Sequence, residues 1–221
     1  MSNNFYKDTA PIDAFKVDKS HLFRRAATLE LIGDVSGKKI LDVGCAWAFV
    51  SGGLAKRNEV HGIDKSQSLL VLAAERGLKT IKGDIQEGLP FPPNSFDFVL
   101  AAEVIEHVFD TDALISEFSR VLKNRGTLIV SVPNCCSLNS RVCVPLGRMP
   151  CYIEHHCRLG MAGHIRGYNL PAIRKQLKEH GFKIEKIRTN GIYFWRVFIP
   201  WRWRFLRSFG ENIIVKARVI K

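Results

Sequence analysis

No apolar run in this chain reaches the roughly 18 residues that a membrane-spanning helix needs. The opening MSNNFYKDTAPIDAFKVDKS holds no apolar core behind a basic start, so no secretory signal is expected and the protein is expected in the cytoplasm. Paired C-x2-C ligands are missing too. Five of the six cysteines, Cys135, Cys136, Cys143, Cys151 and Cys157, fall within 23 residues. Their spacing does not match a zinc site even with His155 and His156 alongside, and reduced, partly buried thiols are expected. Acids are scarce at the C-terminal end. Between Lys186 and Lys221 nine Lys/Arg face Glu211 alone, placing +8 of the +12 net charge in 36 residues. That asymmetry bears on partners rather than on fold. Internal repeats and low-complexity segments are absent.

What is present suits one soluble α/β domain with a full core: 221 residues, 46% hydrophobic and 24% charged. Strand-like and helix-like segments alternate. The pattern predicts a helix from a Ser20 cap to near Gly33, then strand 39–43, helix 50–56, strand 59–64, helix 67–76 and strand 79–82. It continues with strand 96–101, helix 111–122, strand 126–132, helix 170–180, strand 182–189 and strand 212–219. Continuous apolar strands imply burial on both faces, as in a doubly wound, mostly parallel sheet with helices on each side. Residues 134–168 break the rhythm, and so long a loop is usually functional.

In such a sheet ligands bind beyond the carboxyl ends of the strands. Asp42, Asp64 and Asp84 stand at or just past three of those ends. Asp64 lies 22 residues beyond Asp42, the interval at which an acid grips a ribose diol. Asp84 comes 20 residues later, where it can receive an adenine amino group. The loop between the first strand and the next helix is short of glycine: Gly44 is followed by Cys45-Ala46-Trp47-Ala48. An added methyl is tolerated there at negative φ and costly at positive φ. A dinucleotide reductase needs the G-x-G-x-x-G turn for its pyrophosphate, and that turn is missing.

The segments ILDVGCAWAFVSGGLAKR, VHGIDKSQSLL, IKGDIQEGLPFPPNSFDFVLAAEVIEHV, LISEFSRVLKNRGTLIVSVPN and GHIRGYNLPAIRKQLKEHGFKI resemble class I S-adenosylmethionine-dependent methyltransferases across about residues 20–190. The ending GENIIVKARV resembles that family's last strand. The resemblance implies one domain over 1–221, with a seven-stranded sheet of order 3-2-1-4-5-7-6 and strand 7 antiparallel. Residues 1–19 would extend it, and 134–168 and 192–210 would cover an acceptor or bind a surface. Asp42 and Gly44 would shape the methionyl pocket, Asp64 would hold the ribose hydroxyls and Asp84 and Ile85 the adenine, with Ala46 and Lys65 also among the cofactor-binding residues. Glu103 would stand by the sulfonium. The family loop is Gly-x-Gly-x-Gly, so this chain departs from it at Ala46 and Ala48.

Glu103, Glu106 and His107 share one face if a helical turn starts at the fourth strand's end. His107 can then act as a base. Alternatively the three bind a divalent metal, as similar residues do in quinone-precursor O-methyltransferases; no resident metal is expected. His164 and Arg166, in GHIRGY, fall where the resembled family often has His-x-Arg near the acceptor, or they only order a helix entry. The stretch 195–209, WRVFIPWRWRFLRSF, interleaves three Trp and three Phe with four Arg and no acid. It reads as a contact for an anionic membrane surface or as a lid; nucleic acid is the weakest reading. The expected function is methyl transfer from S-adenosylmethionine to oxygen, nitrogen or carbon of a small-molecule or lipid-like acceptor. The rival is a non-catalytic partner protein, because RGLKTIKGDIQEGLPF and SLNSRVCVPLGRMP also resemble the methyltransferase-like partner of homoserine acetyltransferase.

Overall fold

The computed structural model describes residues 17, 19–150, 163–194, 197–199 and 208–221. Helix α1 (Lys19–Ile32) leads into β1 (Lys39–Val43), β2 (Glu59–Asp64), α2 (Gln67–Glu75), β3 (Lys79–Lys82) and β4 (Phe96–Ala102). Then follow α3 (Thr111–Val121), β5 (Leu122–Pro133), α4 (Leu138–Cys143), α5 (Leu170–Glu179) and β6 (Phe182–Thr189). A short hairpin, β7 (Ile192–Phe194) and β8 (Val197–Ile199), precedes β9 (Asn212–Val219). The main sheet has seven strands in the order β3-β2-β1-β4-β5-β9-β6. Only β9 runs antiparallel to its neighbours β5 and β6. This is the expected 3-2-1-4-5-7-6 sheet, with β9 as its seventh strand.

Alternation along the strands divides the core. Leu41, Val43, Val99 and Val130 face a cluster with Leu114, Ile115 and Phe118 of α3 and Ile173 and Leu177 of α5. Ile40, Leu100 and Ile129 face the other way, against Leu31 and Ile32 of α1 and Leu70 and Ala73 of α2. Residues one apart on a strand point to opposite faces, so a strand buried on both sides must be apolar throughout. Side-chain caps set the helix starts. Asp110 accepts from the Ala113 amide and Asn169 from the Ala172 amide, at 2.8 and 2.9 Å, satisfying donors that the first turn leaves open.

Three local expectations fail. Ser20 lies inside α1 rather than capping it, and its buried hydroxyl accepts from Asn190 at 2.9 Å. Residues 50–56 form successive turns, not a helix, because Gly52 and Gly53 weaken helix formation at its start. The α3 helix ends at Val121 and β5 starts at once, so Asn124, Arg125 and Gly126 belong to an irregular strand start. Arg125 takes φ 59 there.

Candidate active site

β1, β2 and β3 end side by side in parallel register, pairing Asp42 with Gly62 and Asp64 with Lys82. Asp42 is buried between neighbours. Burial raises its carboxyl to about 7, the Ser51 hydroxyl opposing and the Asp64 charge adding to the rise. Asp64 accepts from the Ala46 amide through Oδ2 and from the Ser66 amide through Oδ1, both at 2.9 Å. It thereby ties the loop after β1 to the cap of α2. Each carboxylate oxygen has a second acceptor direction, so Asp64 can still receive a diol. Asp84 accepts from the Gln86 amide at 3.0 Å and pairs with the Lys65 ammonium at 2.8 Å. Burial works against its ionisation, but these partners hold it below the usual carboxylate range. Ile85 follows, packed against the core.

The loop itself has alternating left-handed residues: Gly44 at φ 65, Ala46 at φ 45 and Ala48 at φ 58. Both alanines therefore occupy the conformation in which a methyl is costly, about 1–2 kcal/mol for an L-residue. Gly44 has no substitute, since a Cβ there would stand 2.7 Å from Val104 Cγ2. A brace holds the loop. The Arg76 guanidinium lies 4.3 Å over Trp47, Trp47 packs on Phe49 at 5.1 Å, and Arg25 donates to the Phe49 carbonyl at 2.7 Å. Trp47 thus packs against Arg76, the residue that caps α2, instead of filling the turn. Replacing Ala46 and Ala48 together by glycine should raise stability by about 1–2 kcal/mol, strain relief exceeding the added chain entropy. Cofactor binding should tighten as well. Thermal denaturation and calorimetry check both, and a lower melting temperature would contradict the strain.

A second cluster follows β4. The turn Ile105–His107 is a tight 3-10 turn, so Glu103, Glu106 and His107 are not set on one α-helical face. Instead the 163–166 segment docks onto this turn. The Ile165 amide donates to the Glu106 carbonyl at 3.1 Å, Arg166 donates to the Phe109 carbonyl at 2.7 Å, and His107 Nδ1 lies 3.3 Å from the Gly163 carbonyl. That brings His164 to His107, ring centroids 4.8 Å apart, and places His164 Nε2 3.9 Å from Glu106 Oε1. One ligand atom from each of Glu106, His107 and His164 falls within 4.8 Å of the others. Glu106 is wholly buried, and neither carboxyl oxygen has a hydrogen-bond partner among the described residues. Burial, then the Glu103 charge, pushes its carboxyl well above the ordinary value.

Glu103, at φ 58, stands apart from this trio. It accepts from Ser131 and Asn212, both at 2.7 Å, and pairs with Arg24 of α1 at 3.3 Å. Glu103 is therefore anchored to its neighbours and fastens α1 over the carboxyl ends of the strands. Arg24 and Ser51 carried no motif in the sequence; only the packing of α1 and of the turns after the loop brings them in. Cys135 and Cys136 are half-buried with their sulfurs 4.0 Å apart. Cys151, Cys157, His155 and His156 lie outside the described residues, as do residues 1–16 and 200–207 of the N-terminal extension and the aromatic–arginine stretch.

Comparison with known proteins agrees with this geometry. A family model described as a methyltransferase domain matches residues 41–130. The demethylmenaquinone methyltransferase of Lactococcus lactis is 29% identical over 138 residues, 58% of this chain and 54% of its own length. The ubiquinone biosynthesis O-methyltransferase of Xylella fastidiosa is 35% identical over 107 residues, 45% of this chain and 44% of its own length. The chain thus spans about half the length of these curated relatives. An S-adenosylmethionine-dependent methyltransferase from Thermotoga maritima superposes with a TM-score of 0.66 at 19% identity, covering 90% of each chain. The complex of the Haloferax volcanii Trm112 methyltransferase activator with a methyltransferase holds a chain that superposes at 0.68 with 17% identity, over 91% of this chain and 90% of that one. Residues 41–130 thus match a methyltransferase domain, and the sheet around them has the topology of the class I S-adenosylmethionine-dependent methyltransferase fold. No helix among the described residues is long and apolar enough to cross a membrane.

Proposed function

We propose that this protein transfers a methyl group from S-adenosylmethionine to a small-molecule or lipid-like acceptor of the quinone-precursor kind. The observation that carries the reading is the loop after β1, which keeps three left-handed residues beside Asp42 and Asp64 although two are alanine. The residues fit the cofactor. The carboxylates at the strand ends suit a sulfonium cation, the loop backbone keeps the close approach that glycines provide, and Asp64 retains acceptor directions for a diol. When bound, the cofactor supplies an already activated methyl group.

What remains for the chain is positioning and proton management. Asp64 and Lys65 hold the ribose end, Asp84 and Ile85 the adenine, and Asp42, Gly44 and Ala46 the methionyl end. In the tautomer that donates Nδ1–H to the Gly163 carbonyl, His107 Nε2 is the basic nitrogen that can take the proton an acceptor loses. His164 and the buried Glu106 stand behind it as a relay. A second reading has one observation in its favour. A carboxylate with no hydrogen-bond partner beside two imidazoles is a donor set for a divalent cation, which would acidify an acceptor hydroxyl.

The test is label transfer from methyl-labelled cofactor to a hydroxylated, prenylated aromatic. His107→Ala should lower the rate about 100-fold. Activity lost to chelator and restored by Mg2+ favours the cation; chelator-insensitive turnover leaves His107 as the base. The relatives' names support the acceptor class, and the aromatic–arginine stretch supports peripheral contact with an anionic membrane. The alternative, a non-catalytic partner protein, draws on the strained alanines, while the Trm112 complex among similar folds supports a protein partner for this chain.

A further inference from the structure

At the other end of the sheet, where β1 to β4 begin, lies an open groove of about 720 Å³. Six basic side chains, Lys38, Lys39, Lys56, Arg57, Lys79 and Lys123, line it against two carboxylates, Glu59 and Asp97. The five residues of β1 separate it from the acids at the strands' carboxyl ends by roughly 16 Å, so it belongs to neither the cofactor nor the acceptor.

Its walls are fixed by backbone bonds. The Gly37 amide donates to the Arg57 carbonyl at 2.8 Å and the Glu59 amide to the Lys38 carbonyl at 2.9 Å. Asn58 accepts from the Lys38 amide and donates to the Val35 and Leu54 carbonyls. The cations therefore come from segments cross-linked to one another. Three have carboxylate partners: Lys79 with Glu59, Lys123 with Asp97, and Arg57 with Asp34. Lys38, Lys39 and Lys56 have none within ion-pair distance among the described residues; Lys39 only lies 5.4 Å over the Phe96 ring. The excess is felt by Glu59, whose carboxyl is held at about 2 by bonds from Lys79 and His61 and by the charges of Lys79 and Lys39.

Three unpaired ammonium groups around one concavity repel each other and focus a positive potential. A monovalent carboxylate would neutralise one of them, whereas a chain of phosphates answers all three, and lysine serves phosphate well as a point charge. We propose that this groove is a binding site for a ligand bearing several phosphate charges, separate from the cofactor cleft. Such a ligand is either a free oligophosphate or the headgroup of an anionic phospholipid.

The test titrates the full chain at low salt with tripolyphosphate in a calorimeter and, separately, sediments it with anionic phospholipid vesicles. Saturable tripolyphosphate binding is expected, weakened about tenfold or more by Lys38→Gln/Lys39→Gln/Lys56→Gln, with S-adenosylhomocysteine affinity unchanged. Loss of vesicle binding in the same variant would assign the phosphate to a lipid headgroup. Loss of tripolyphosphate binding alone would assign it to a free ligand. Lys38→Gln/Lys56→Gln, at two exposed positions, serves if the triple variant does not fold. The proposal fails if wild type binds neither probe, or if the variants bind both as wild type does.

Discussion

Asp64→Ala should weaken S-adenosylhomocysteine binding by roughly 1–3 kcal/mol, about 5- to 150-fold, through two losses that act together. The ribose hydroxyls lose their acceptor in a partly buried site. The amides of Ala46 and Ser66, both 2.9 Å from this carboxylate, lose theirs. Ala46 is one of the two strained residues of the loop, so the tether that keeps it left-handed disappears with the ligand contact. Asp64→Asn retains one carbonyl oxygen and should fall between wild type and alanine. Calorimetry gives the ordering directly, and an alanine variant with wild-type affinity would remove Asp64 from the site.

Stability should decline as pH rises from about 4 to 7, because two buried acids are held above their ordinary values. Asp42 goes from 3.8 to about 7, and Glu106 moves in the same direction. Between the unfolded and folded values the native state binds the extra proton. The contribution is therefore complete below the unfolded value and lost as pH climbs through the folded one. For Asp42 that gap corresponds to roughly 4 kcal/mol as an upper bound. Asp42→Asn should remove its share of the slope in denaturant titrations across this range, leaving the part due to Glu106. The same proton links pH to function. A bound sulfonium favours ionised Asp42, so cofactor affinity should strengthen as pH rises toward 7 and the variant should lose that dependence. A stability profile that rises over this interval would show Asp42 ionised in the free protein.

Several elements were legible because local and global signals agree in them. The strands 39–43, 59–64 and 79–82 have the predicted bounds, since apolar runs between acids and turn residues leave little choice of register. The acids at their ends were legible for the same reason: Asp42, Asp64 and Asp84 are placed by strand length alone. The loop was legible only in part. Its missing glycines could be counted, but the sign of φ at Ala46 and Ala48 depends on the Asp64 tether and on the Arg25–Phe49–Trp47–Arg76 brace, which joins three separate segments. Glu103, Glu106 and His107 do not keep the α-helical spacing that their sequence positions suggest. A 3-10 turn replaces the α-turn, and His164 enters from 57 residues away by docking its segment on that turn. The β7–β8 hairpin and the basic groove had no periodic signature, since the groove gathers residues from several strand starts, each unremarkable alone.

Binding of S-adenosylmethionine and S-adenosylhomocysteine to the wild-type chain, measured by calorimetry, tests the central claim most directly. A strained loop that keeps its left-handed geometry, with all three acids in place, predicts one saturable site. Its dissociation constant should fall in the range typical of enzyme ligands, about 1 µM to 1 mM. Heat signals indistinguishable from dilution at ligand concentrations of about 1 mM or more would contradict it.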